Sequence, residues 1–148
     1  MKPMQIIYIL TFTAFIILGV VYFQQKPKQG NFSFLQHNLD LQIERAESLA
    51  HQAKGLMHRE KLDENSGMLF IFSNEAKRTF WMKNTYIPLD LIYISKDKKI
   101  IEIKENLEPC QANDCSTYTS VVEAQYVLEV NAGFVEKNQI KIGEEVAF

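Results

Sequence analysis

The sequence has few of the residue constellations that announce a known chemistry. It contains no Gly-rich phosphate loop, no nucleophile elbow, no paired histidines at helical spacing and no calcium loop. Its three histidines, His37, His51 and His58, lie well upstream of the only two cysteines, Cys110 and Cys115. A structural zinc site needs about four ligands at regular spacing, so neither a metal nor any other cofactor is expected. Positive charge is also scarce. Lys2, Lys26 and Lys28 take three of the sixteen basic residues, leaving thirteen against all eighteen acidic ones from Asn31 onward, a net charge of minus five. A nucleic-acid surface needs a cationic stripe, so DNA and RNA are not expected partners. A basic amphipathic segment that could grip anionic lipid is missing as well.

What the chain does have is one long apolar run near its start. Ile6 to Phe23 is interrupted only by Thr11, Thr13 and Gly19, and as a helix it would span about 27 Å, close to a hydrocarbon core. The expectation is a membrane anchor at 6–23 behind a cytoplasmic N-terminus at 1–5. The rival is a cleaved signal peptide with Lys2 as its positive region, but the run is longer than usual and bulky Val20 to Phe23 offer no small-residue cleavage pair. Gln24 to Gly30 is polar with Pro27 and Gly30 as breakers, so 24–31 reads as a tether and 32–148 as one extracytoplasmic domain, expected to be monomeric. Basic residues on the two sides of the run nearly balance, so charge alone leaves the orientation open.

The cysteines stand in a polar loop with four residues between them. A disulfide is a simpler reading than free thiols or a metal, and closing so short a loop stabilises by about 2 kcal/mol in the chain-entropy model. A disulfide would place the domain outside the reducing cytoplasm, and this tips the orientation.

Periodicity indicates a mainly β domain. Leu39, Leu41 and Ile43 alternate with polar neighbours; Met68 to Phe72, Leu91 to Ile94 and Tyr126 to Val130 are short apolar runs; Lys96 to Lys99 joins two runs as a hairpin. Ala46 to Lys54 has helical spacing, Phe134 to Gln139 suits one helical turn, and Ile140 to Phe148 reads as a last strand. The prediction is a compact antiparallel sandwich or barrel of six to seven short strands with one short helix.

The stretch Phe80-Trp81-Met82-Lys83-Asn84-Thr85-Tyr86-Ile87-Pro88-Leu89-Asp90 concentrates aromatic bulk, a cation, an amide and a carboxylate, and holds the only Trp. If extended, it puts Phe80 and Met82 on one face and Trp81 and Lys83 on the other, before a bend at Asn84-Thr85. Lys83 and Asp90 could brace that bend as an ion pair or share a site with Trp81 and Asn84. Arg59 could fork onto Asp90 or Glu129, or grip a ligand carboxylate or phosphate. Glu129 points away from Leu128 and Val130 and is expected to face solvent.

The segments Gly55-Leu56-Met57-x-Arg59, Gly67-Met68-Leu69-Phe70, the central stretch and Leu128-Glu129-Val130-Asn131-Ala132-Gly133, with Pro109 and Gly143, resemble the family called domain of unknown function 192. The resemblance runs from about Leu39 to Val146. It implies a compact, mainly β domain, often exported or anchored by one N-terminal segment, and implies no activity. The Cys110 to Cys115 loop resembles that of exported members.

Two functions compete with a purely structural role in which the same residues form an internal brace. One is a binding or accessory module for a polar small molecule or carbohydrate, with Arg59, Trp81, Lys83, Asn84 and Asp90 as its site. The other is a hydrolase or transferase in which Asp90 or Glu129 is the general base and Lys83 with Arg59 stabilises negative charge.

Overall fold

A computed structural model describes residues 26–148. The anchor expected at 6–23 and the N-terminus at 1–5 lie outside the described residues. Among the described residues no helix is long and apolar enough to cross a membrane.

The strands are β1 (Lys28–Phe34), β2 (Leu39–Ala46), β3 (Ser66–Ala76), β4 (Thr79–Trp81), β5 (Leu89–Ile94), β6 (Ile100–Leu107), β7 (Thr117–Thr119), β8 (Ala124–Asn131) and β9 (Val146–Ala147). The helices are α1 (Leu49–Lys54) and α2 (Phe134–Asn138). Seven strands form one sheet in the order β6-β5-β8-β3-β2-β1-β9, and β4 pairs with β7 in a two-stranded ribbon. Neighbours are antiparallel except β2 and β3, whose parallel pairing is possible because α1 crosses between them. The sheet curls into a half-barrel. Its two edges meet where Lys99 bridges Glu145 and the Ile100 N–H donates to Glu144 O at 2.9 Å.

Alternation along the central strands explains two separate cores. Leu69, Ile92, Ile94, Leu128 and Val130 join Phe32, Phe34, Leu41 and Ile43 on the enclosed face, plugged by Phe134 and Val135 of α2. Met68, Phe70, Leu91, Tyr93 and Val127 pack on the opposite face against Leu56, Met82 and Ile87 from the loops above. The continuous apolar runs thus arise because β3, β5 and β8 are covered on both sides.

Several boundaries differ from expectation. Lys28 to Asn31, within the expected tether, pair with Gln42 to Arg45 as part of β1, because Phe32 and Phe34 just beyond them are pulled into the core. The expected helix from Ala46 is shorter: Ala46 pairs with Phe70, and Ser48 caps α1 by accepting from the His51 N–H. The last strand shrinks to β9, since Ile140 is buried beside α2 and Gly143 turns the chain at φ +96.

Candidate functional site

The central stretch divides at its bend. Thr79 to Trp81 pair with Thr117 to Thr119, which leaves Trp81 half exposed with the Lys83 ammonium 5.5 Å from its ring centre. Asn84 adopts φ +55 and works as a turn former: its N–H donates to Cys110 O, and its carbonyl accepts from the His58 N–H. The Cys110–Cys115 disulfide is formed. It props the bend, because the Cys110 N–H donates to Met82 O and the Gln111 amide donates to Thr85 O.

Asp90 does not join this site. It is completely buried in β5, with Oδ1 accepting from the Asn106 N–H at 2.8 Å and Oδ2 from the Val135 N–H at 3.0 Å. Both oxygens are thus committed to backbone, one of them at the start of α2. Lys83 and Asp90 form neither the expected brace nor a shared mouth, because Asp90 projects to the enclosed face.

Arg59 forks onto a different carboxylate from either expected one. Its Nη1 and Nη2 donate to Glu44 Oε1 and Oε2 at 2.5 and 2.7 Å, a bidentate pair that holds the guanidinium above its ordinary pKa. The Glu44 partner in β2 gave no signal beyond its alternation with apolar neighbours.

Glu129 reverses the expectation of exposure. It points away from Leu128 and Val130, but the face it enters is the second core, so only 5 % of it is accessible. Its Oε2 is buried without a hydrogen-bond partner. Burial pushes this carboxyl up to about 8, against the pull of the Arg59 guanidinium. An unpartnered buried oxygen costs about 1–3 kcal/mol, so such an atom invites a functional explanation.

Glu129 forms part of a cleft of about 480 Å³. It is lined by Gly55 and Leu56 after α1, by Phe70 and Phe72 of β3, and by Phe80, Trp81 and Thr85. The end of α1 shapes the opening: Gly55 caps the helix at φ +47, ψ −135, a conformation that requires glycine. A Cβ there would stand 3.2 Å from Phe70 Cζ and 3.7 Å from Glu129 Oε2. Gly67 serves the other flank, since a Cβ on it would meet the Glu129 carbonyl at 2.8 Å and force β3 and β8 apart. Arg59 and Glu44 line a second cleft of about 880 Å³ that shares Ala53, Lys54, Gly55 and Met57 with the first.

Of the residues expected at the site, the structure therefore gathers Trp81 and Glu129 in one cleft, sets Lys83 beside it on Trp81, places Arg59 in the adjoining cleft, and removes Asn84 to a turn and Asp90 to the core. Thr85, buried in the cleft wall, and the cations Lys54, Lys77 and Arg78 around it were not anticipated. Among the described residues no cluster of His, Cys, Asp and Glu could hold a metal ion.

Residues 33–148 match the family DUF192, described as "Uncharacterized ACR". The fold resembles a candidate transcription regulator from Sinorhizobium meliloti 1021, with a TM-score of 0.77 and 31% identity over 84% of this chain and 96% of that one. It also resembles a protein of unknown function from Novosphingobium aromaticivorans DSM 12444, with a TM-score of 0.69 and 35% identity over 74% of this chain and 76% of the other. No curated protein matches the chain.

Proposed function

The chain belongs to the DUF192 family, and on that premise we propose that it is a binding module whose ligand, a polar small molecule, enters the cleft closed below by Glu129. The observation that carries this reading is the unpartnered Glu129 Oε2, buried under a cleft with aromatic walls. Binding sites combine an apolar lining with a few convergent polar groups, and a volume of about 300–1,000 Å³ is usual for them. A ligand hydrogen bond to Oε2 would remove the penalty of leaving that oxygen unpartnered. A carbohydrate fits this description through its hydroxyls and ring.

Residues 6–23 serve in this reading as a membrane anchor that holds the domain outside the cytoplasm. The length of the apolar run supports it, as does a disulfide in a chain that has only two cysteines. The domain's negative charge argues against nucleic acid as the partner.

A second reading follows from the same group: a buried carboxyl that titrates near neutrality suits a general acid or base. Asp90 is not available for that role, since both its oxygens are occupied.

Trp81, the sole tryptophan and a wall of the cleft, reports occupancy directly. Titrating the full chain in detergent micelles with a panel of small sugars and ring compounds should give saturable changes in its fluorescence. Conversion of an added ester, glycoside or phosphate ester would favour the enzyme. A panel that leaves Trp81 unchanged would overturn both readings.

A further inference from the structure

The charges around the cleft narrow its ligand class. Among the described residues Lys28, Arg45, Arg59, Lys96, Lys99, Lys104 and Lys137 each reach a carboxylate within 4 Å. Lys54 and Lys77, which line the cleft, form no ion pair among the described residues. Arg78 beside them lies over the Phe72 ring at 3.9 Å and bonds to carbonyls, also without an acidic partner. The Lys83 ammonium adds a further unpaired cation on the outer side of Trp81. Among the described residues Glu129 is the only acid that lines the cleft. In a domain of net charge minus five, three cations without an acidic partner around one cleft make a local positive field.

Resting on the binding reading above, we propose that the ligand is a ring compound bearing an anionic group, a carboxylate or a phosphate ester. The ring rests against the aromatic lining of the cleft, the anion meets Lys54 and Lys77 at the mouth, and the inner end reaches Glu129 Oε2. A carboxyl that keeps its proton can donate to an inner oxygen of such a ligand and does not repel its charge. The amino groups of Lys54 and Lys77 are flexible point charges, which suits a rim that closes on a ligand after it enters.

Four probes with one phenyl ring each separate the possibilities: benzoate, phenyl phosphate, benzyl alcohol and benzylammonium, each titrated against Trp81 fluorescence of the full chain in uncharged detergent. The expected result is that at least one anion binds about tenfold more tightly than benzyl alcohol and that benzylammonium binds most weakly. Benzoate against phenyl phosphate decides between carboxylate and phosphate. The double variant Lys54→Ala, Lys77→Ala should shrink the preference to under about threefold, and raised salt should weaken the anions alone. Equal affinity for all four probes would overturn the anion assignment and leave the binding reading standing. No response to any probe would overturn both.

Discussion

Asp90 and Glu129 stand one register step apart on adjacent strands and point to opposite faces of the sheet. Asp90 pairs with Val130, and Glu129 pairs with Leu91. Because side chains alternate along a strand, that single step sends one carboxylate into the enclosed core and the other under the cleft. The first is satisfied by two backbone donors and the second has an oxygen with none. They therefore have different roles.

Replacing Asp90 should damage the fold and spare the cleft. Asp90→Ala orphans the N–H groups of Asn106 and Val135, at about 1–3 kcal/mol each. Asp90→Asn keeps one acceptor and should fall between wild type and Ala in denaturant midpoint. Ligand-dependent change in Trp81 fluorescence should persist in whichever variant folds.

Stability should fall as the solution becomes alkaline through neutrality, and Glu129 should be the reason. Its carboxyl titrates near 8 in the fold and near 4.5 in the unfolded chain. Below 4.5 both states hold the proton and the contribution is fully present. Between 4.5 and 8 only the folded state holds it, so stability drops by on the order of 1 kcal/mol per pH unit, and above 8 the drop is complete. The charged and titratable groups around it include Arg59, which pairs with Glu44, the cations Lys54, Lys77 and Arg78 that line the cleft, and Tyr93, which burial first and then the charges of Glu102 and Glu129 hold well above its usual range. Subtracting the pH profile of Glu129→Gln from that of wild type should isolate this slope.

Arg59→Met should raise the Glu129 titration further, since the guanidinium is the one group that pulls it down. It should also cost about 1 kcal/mol by stranding the largely buried Glu44 carboxylate. Carbon NMR of the glutamate carboxyls reads the first effect and thermal melting the second.

Gly55→Ala should destabilise by about 1–3 kcal/mol, because alanine does not tolerate φ +47, ψ −135. The added methyl stands against Phe70 and toward Glu129 Oε2, so ligand affinity should fall even at a temperature where the variant remains folded.

Reducing the Cys110–Cys115 bond should lower stability by about 2 kcal/mol. The loop's contacts with Met82, Asn84 and Thr85 mean that the change should reach Trp81. A red shift of its emission, absent in a Cys110→Ser, Cys115→Ser variant treated with reductant, checks this.

Much of the fold was legible because its signals are local. The runs at Met68 to Phe72 and Leu91 to Ile94 announce doubly covered strands, and the Lys96 to Lys99 turn announces the β5–β6 hairpin. The site was legible only in part. Trp81 was conspicuous by composition and Glu129 by its apolar neighbours, but Glu129's burial depends on Leu56, Met82 and Ile87 being folded over that face. Asp90 was misleading for the same reason, since its partners come from Asn106 and Val135, far along the chain. Lys28 to Phe34 has too little alternation to reveal β1, whose place is set by pairing with β2.

The most direct test is titration of the Glu129 carboxyl by carbon NMR in the full chain, assigned by comparison with Glu129→Gln, without and with saturating phenyl phosphate or benzoate. A midpoint near 8 that moves higher when the anion binds is predicted, because a nearby negative charge and a hydrogen bond donated by the carboxyl both favour the protonated form. A midpoint near 4.5 that neither anion displaces would contradict it.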